Sequence, residues 1–232
     1  MPCQKSRSFK RDAYMFSVNM IGDFFLWGFA FIFSTTLHEA SHAFAAKFGG
    51  DMTAYSVGQA SLNPLPHIKR EPFGMVLFPI LTFFLNGGGW MIGWASAPYD
   101  PNWAARYPKR SALMALAGPA SNTVLMLISF ALLKMGMSAG VLSLVEETGT
   151  IWDVVSQLLF IMLNLNLILA IFNLIPFPPL DGSEVVLLFV PEDRAHLVRE
   201  KIQSLGIFGL IIAWLAFPYI YAPVAKVIFS LL

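Results

Sequence analysis

His38, Glu39 and His42 stand together in the stretch STTLHEASHAFAAKF, residues 34–48. On a helix, residues four apart share one face, one turn above the other. His38 and His42 can therefore aim two imidazoles at one metal ion, while Glu39 projects to the side, within reach of a water on that ion. H-E-x-x-H on a helix is the zinc-protease arrangement, with the glutamate as general base. Two other readings stay open on these residues: a buried polar cluster, or a proton path of the kind found in transporters. Cost favours the metal. Each ionisable residue at mid-membrane costs roughly 2.5–3.5 kcal/mol on insertion scales. Three such residues lie here within five positions, with no Lys or Arg among them, and a divalent cation offsets that cost.

The membrane setting follows from composition. Of 232 residues, 56% are hydrophobic and 12% charged, where soluble domains carry about 25% charged residues. The net charge of +1 implies no bulk attraction to nucleic acid. The single cysteine, Cys3, cannot form an internal disulfide and has no metal-site spacing. A spanning helix needs about 20 mostly apolar residues. Residues 24–48, 111–136, 151–176 and roughly 205–232 meet that need, and residues 14–22 extend the first or lie at the interface. The expected fold class is an all-α polytopic membrane protein, a helical bundle. A small β-hairpin or strand-containing loop is expected after the first helix, because TAYSV (53–57) alternates within a polar, turn-rich stretch, 49–74. An exposed strand over 53–62 could clamp an unwound peptide by strand addition. Residues 75–95 are apolar but broken by Pro79 and by Gly87, Gly88 and Gly89, so a re-entrant hairpin is expected there, buried against the other helices. The whole chain, 1–232, reads as a single membrane-embedded domain with a core at about 24–190 and a C-terminal span at about 205–232.

A catalytic zinc commonly has three protein ligands. The first helix offers no third histidine; His67, His196 and the carboxylates remain. Asp181 follows a helix that Pro176, Pro178 and Pro179 must end. It can fold back to membrane depth where the backbone lines a cavity, with Gly182 permitting the turn. An ordinary Pro-Asp-Gly turn at the surface fits the local sequence equally well.

Three motifs in order, HEASH at 38–42, AGPASN at 117–122 and FNLIPFPPLDG at 172–182, resemble the site-2 protease family of intramembrane zinc metalloproteases, in its compact prokaryotic single-domain branch. The resemblance covers about 24–190. It implies Zn2+ held by His38, His42 and Asp181, Glu39 as general base, and a transmembrane protein or peptide as substrate. It also implies a multi-pass protein of the prokaryotic cell (inner) membrane, surrounded by the lipid bilayer. Asn173 matches a family asparagine near the active site and becomes a candidate contact for the substrate carbonyl. His67 and Asn63 are candidates to line the mouth of a polar cavity, and Asn122 reads as structural. Ser183 and Glu184 stand where the branch often has glycine and arginine, and Ser96 and Ala97 replace a lysine. Regulation is expected to come from other proteins. The rival functions are a metal transporter, which needs the two histidines but not Glu39, and a catalytically silent binding module.

Overall fold

A computed structural model describes the backbone of residues 3–144 and 149–232 and the side chains of residues 20–144 and 149–232. In chain order its α-helices are α1 (Cys3–Gly49), α2 (Thr53–Ser56), α3 (Pro64–Arg70), α4 (Phe78–Leu85), α5 (Pro101–Arg106), α6 (Pro108–Ser138), α7 (Ile151–Asn173), α8 (Gly182–Val185), α9 (Ala195–Gln203) and α10 (Ile207–Ser230). Among the described residues, four stretches are long and apolar enough to cross a membrane: Met20–Gly49 of α1, α6, α7 and α10. The apolar residues 14–22 extend α1 rather than forming a separate element.

The apolar run of α1 ends at Gly49–Gly50. Gly50 adopts φ +100°, the left-handed conformation that closes helix C-termini at glycine, and Asp51 N donates back to Ala46 O at 2.8 Å. The terminal carbonyl of Gly49 accepts from Trp103 Nε1 and Arg110 Nη1, each at 3.1 Å. That pins the 96–110 connector to the C-terminal end of α1.

α1, α6 and α7 form the core. His38 and His42 of α1 meet Asn122 and Met114 of α6, in reverse order, so these two helices are antiparallel. Asp23 and Ser34 of α1 meet Gln157 and Asn166 of α7, in the same order, so α1 and α7 run in parallel. Trp27, Phe31, Phe83, Ile161 and Met162 fill the space between α1, α4 and α7. α10 packs on α7 through Ala225 against the Leu163 and Leu167 cluster.

The β-hairpin expected after α1 is absent: no strand occurs among the described residues. The alternation of TAYSV is too short to outweigh local hydrogen bonds. Asp51 Oδ1 accepts from Thr53 N at 2.9 Å and from Thr53 Oγ1, which starts a helical turn. Ser56 N then donates to Met52 O and Gln59 N to Ala54 O. Asn63 accepts from Leu65 N at 3.0 Å and caps α3, with Pro64 at its first position, a helix start where a second strand was expected. The clamp expected over 53–62 is lost with it. Asp51 has another use. Its Oδ2 accepts from Asp100 N at 2.9 Å. Burial works against its charge, but the bonds from Thr53 and Asp100 hold the carboxyl below the usual carboxylate range.

Residues 73–95 double back on themselves. A π-turn, Phe73–Leu77, leads into α4. Gly87 and Gly88 turn the chain at φ +65° and +88°, and an extended limb returns along the helix. Ile92 N donates to Thr82 Oγ1 at 3.0 Å and Trp94 N to Gly74 O at 3.1 Å. The limbs touch at glycine: a Cβ on Gly93 would lie 2.3 Å from Gly74 O and 2.5 Å from the Phe31 ring. The chain therefore leaves this hairpin at the level where it entered. Single cysteines at Lys69 and Asn102, both exposed, in a Cys3→Ser background, are expected to react with a membrane-impermeant thiol reagent from one and the same face. Labelling from opposite faces would make 73–95 a true crossing.

Candidate metal centre and its cavities

The two histidines are placed by α6. His38 Nδ1 donates to Asn122 Oδ1 at 2.6 Å, and His42 Nδ1 donates to Met114 O at 2.7 Å. Both bonds leave Nε2 without a proton and aimed inward. Asp181 reaches the same point from α7. Beyond Asn173 the chain curls, with Ile175 N donating to Phe172 O and Leu180 N to Phe177 O. Gly182 is pressed so closely on Leu174 and Ile175 that a Cβ would lie 2.3 and 2.4 Å from their carbonyl oxygens. Only glycine permits that return.

Two clamps from the start of α6 hold the segment after Asp181. Lys109 Nζ donates to the carbonyls of Leu187, Leu188 and Val190 at 3.0, 2.8 and 2.6 Å. Glu184 forms a paired contact with Arg199 of α9, Nε to Oε1 at 2.8 Å and Nη2 to Oε2 at 2.8 Å, and also accepts from Ser111 Oγ at 3.2 Å. The residue that departs from the branch pattern thus ties α9 to the turn that carries Asp181.

The result is a triangle of bare acceptors. His38 Nε2 and His42 Nε2 are 3.0 Å apart, and Asp181 Oδ2 lies 3.2 and 3.4 Å from them. Asp181 Oδ2 is buried and has no hydrogen-bond partner. With both rings neutral and carrying the proton on Nδ1, these three atoms turn lone pairs on one another, an arrangement that a cation among them would stabilise. Ligand bonds of roughly 2.0–2.1 Å in a tetrahedral zinc site imply donor–donor separations of about 3.3–3.4 Å, close to those seen. A Cβ on Gly118 would lie 2.4 and 2.6 Å from the two Nε2 atoms, so the space beside them is kept open by a missing side chain. The donor set fits a zinc ion. Among the described residues it is the only His, Cys, Asp and Glu group whose ligand atoms lie close enough to hold a metal.

Two cavities meet at this cluster. One, of about 220 Å3, is lined by Glu39, His42, Asp181, Ser96 and Tyr99 and has a polar wall. The other, of about 720 Å3, runs between the hairpin's return limb, α7 and α10, and is walled by Trp94, Leu169, Phe172, Leu210 and Trp214. Glu39, Asn173, Ala95, Ser96 and Pro179 border both, so Glu39 stands where a wet space adjoins an apolar one. Glu39 is 6% exposed.

The sequence-derived candidates thus separate. His38, Glu39, His42, Asp181 and Asn173 come together; His67 and Asn63 do not. His67 is buried on α3, where its Nε2 donates to Ser61 O at 3.0 Å, and neither residue lines the two cavities. Three contributors were not read as part of the site, Asn122 having been read only as structural. Asn122 orients a ring, Gly118 makes room, and Asn166 lies beneath Asn122. The available signal was cost: an amide in an apolar span needs a partner, and Asn166 stands two turns before Asn173, on the same face.

The sequence profile described as peptidase family M50 matches residues 26–217. The Bacillus subtilis (strain 168) protein named "Putative zinc metalloprotease YwhC" is 34% identical over 183 residues, 78% of this chain and 74% of that protein. The Mycolicibacterium smegmatis protein named "Putative zinc metalloprotease Rip2" is 29% identical over 165 residues, 71% of this chain. The match spans 57% of that relative's length. No solved structure matches. The match to residues 26–217 takes in all three motifs as well as the hairpin and the start of α10, and by it the chain belongs to peptidase family M50, the site-2 protease family.

Proposed function

We propose that this protein is an intramembrane zinc endopeptidase, with His38, His42 and Asp181 as the metal ligands and Glu39 as the general base. The observation that carries the reading is the convergence of three potential metal donors from α1 and from the turn after α7. Zinc bound in such a site polarises a scissile carbonyl and makes water acidic enough to attack near neutral pH. Glu39 takes the proton of the attacking water and passes it to the leaving amine as the C–N bond breaks. The Asn173 amide, whose Nδ2 is held by Leu169 O at 3.0 Å, borders both cavities and is placed to meet the substrate's carbonyl. Water enters through the polar cavity, and an apolar peptide through the larger one.

The substrate is a membrane-spanning protein segment. Its peptide groups are paired within its own helix, so it must unwind before attack, and helix-breaking residues near the cleaved bond are expected. Extended backbone to receive it lies at residues 93–97 beside the cavities, rather than at 53–62. The whole chain acts as one domain of a prokaryotic cell membrane. Lys69, Arg70, Arg106, Lys109 and Arg110 gather at the metal-side end of α1, opposite Lys5, Arg7, Lys10 and Arg11. The larger basic group places the metal-side end in the cytoplasm.

Cleavage of a membrane-embedded reporter by the purified protein is expected to stop with a chelator and return with added zinc. Asp181→Ala is expected to lose both zinc and cleavage. Asp153→Ala removes the capping box that starts α7, at a cost of about 1 kcal/mol in stability, and keeps both. Chelator-resistant cleavage, or full zinc and activity in Asp181→Ala, would overturn the assignment.

A further inference from the structure

Behind His38 lies a chain of buried amides that the proposed reaction does not use. Asn122 and Asn166 are fully buried, as is Ser34. Asn122 Nδ2 donates to Asn166 Oδ1 at 2.8 Å and, more weakly, to Ser34 O at 3.4 Å. Asn166 Nδ2 donates to Met162 O at 2.8 Å and to Ser34 Oγ at 2.9 Å. The three helices α1, α6 and α7 meet in this one cluster.

The polarity of the chain is set by its far end. Met162 O is a backbone carbonyl and can only accept, so the Asn166 amide must turn its NH2 toward it. Its Oδ1 then faces Asn122, which must answer with its own NH2. That leaves Asn122 Oδ1 facing His38, and a carbonyl oxygen there requires the proton on Nδ1. The bond to Asn166 Oδ1 at 2.8 Å is the stronger hold on the Asn122 NH2, and the 3.4 Å bond to Ser34 O the weaker one in the same direction. The Nδ1–H tautomer of His38 is therefore dictated across two side chains, Asn122 and Asn166, from a carbonyl on another helix.

We propose that Asn166 is a positioning residue for the metal site: anchored on Met162 O, it fixes the orientation of Asn122 and through it the Nδ1–H tautomer of His38. The inference rests on the zinc reading given above. His42 needs no such relay, because Met114 O is itself an acceptor-only group. The two ligands are thus oriented by independent means, one by a carbonyl directly and the other by a chain ending on one. Freed from Asn166, the Asn122 amide can turn its NH2 toward His38, and the imidazole then carries its proton on Nε2, where the metal must bind.

The test compares Asn166→Leu, Ser34→Ala and Asn164→Leu. Leucine at 166 keeps the side-chain shape and removes the polarity. Ser34→Ala leaves Met162 O, the group that sets the direction, in place. Asn164→Leu removes a different α7 hydrogen bond, to Tyr221 of α10, and controls for lost stability. Nitrogen-15 chemical shifts of the His38 ring are read on metal-free protein, and zinc retention is read against a chelator. In the wild type and in the Ser34 and Asn164 variants, His38 is expected as the Nδ1–H tautomer with normal zinc retention. In Asn166→Leu the ring signal shifts toward the other tautomer and zinc binds about 10- to 100-fold more weakly, while the helical fold persists. An unchanged His38 tautomer in Asn166→Leu would overturn the proposal, as would an equal zinc loss in Asn164→Leu. A wild-type protein with the Nδ1–H signature but no zinc affinity would instead overturn the zinc reading and spare the amide relay.

Discussion

Glu39→Gln is expected to retain a full complement of zinc and to lose proteolysis. Glutamine matches the shape of glutamate but cannot accept a proton from water at neutral pH. Glu39 follows His38 directly on α1, about 100° around the helix from it, and borders both cavities without belonging to the donor triangle. Its loss removes no ligand. General-base catalysis contributes about 10²–10⁴-fold in rate, and here the same carboxylate is asked both to take the proton and to return it, so the upper part of that range is expected. Zinc content and reporter cleavage are to be measured on the same preparation. Cleavage within about tenfold of the wild type would place the base elsewhere. Loss of zinc would mean that the carboxylate is a ligand and that the triangle is incomplete. A transporter built on the two histidines would show neither effect, which makes this substitution the sharpest divide between hydrolysis and mere metal binding.

The parts of this site differed in how far local sequence could reveal them, and the difference is physical. His38 and His42 were legible because a helix converts a four-residue spacing into a shared face. Asp181 was not legible from its surroundings. Its return depends on Gly182 pressing on Leu174 and Ile175, on Lys109 capping three carbonyls and on Glu184 gripping Arg199, and those partners are far away in sequence. The proline break before it left a return to membrane depth and an ordinary surface turn equally open, and the resemblance decided between them. The four spans and the doubled-back 73–95 segment were readable from apolar length, Pro79 and the glycines. The strand expected over 53–62 was misread because five alternating residues carry no information about whether a partner strand exists. The extended backbone lies instead at 90–100, where one limb runs along a helix and shows no alternation to detect. Asn122 read as structural because an asparagine in a span reveals that it needs a partner, not which one. Its partner in the structure is His38.

Gly118→Ala is expected to empty the metal site while leaving the fold intact. Met114, Gly118 and Asn122 stand four apart on α6 and form one stripe. Met114 O holds His42 by Nδ1, Asn122 Oδ1 holds His38 by Nδ1, and Gly118 lies between them opposite the two Nε2 atoms. A methyl group there would come within 2.4 Å of His42 Nε2 and 2.6 Å of His38 Nε2, inside any tolerable contact. Neither ring can retreat while keeping its Nδ1 bond, because both bonds lead to the helix that carries the methyl group. Sliding α6 away would break both bonds together. In an ordinary helix interior, alanine is about 0.8–1 kcal/mol more favourable than glycine, so the metal-free protein is not expected to unfold. The signature is loss of zinc and of cleavage with little change in the thermal stability of the metal-free form. Gly28→Ala serves as the control: nothing lies within 4 Å of a Cβ at that position on α1, and zinc, activity and fold should all persist. A Gly118→Ala protein that binds zinc in full and still cleaves its substrate would show that the two Nε2 atoms do not converge where α6 leaves room for them.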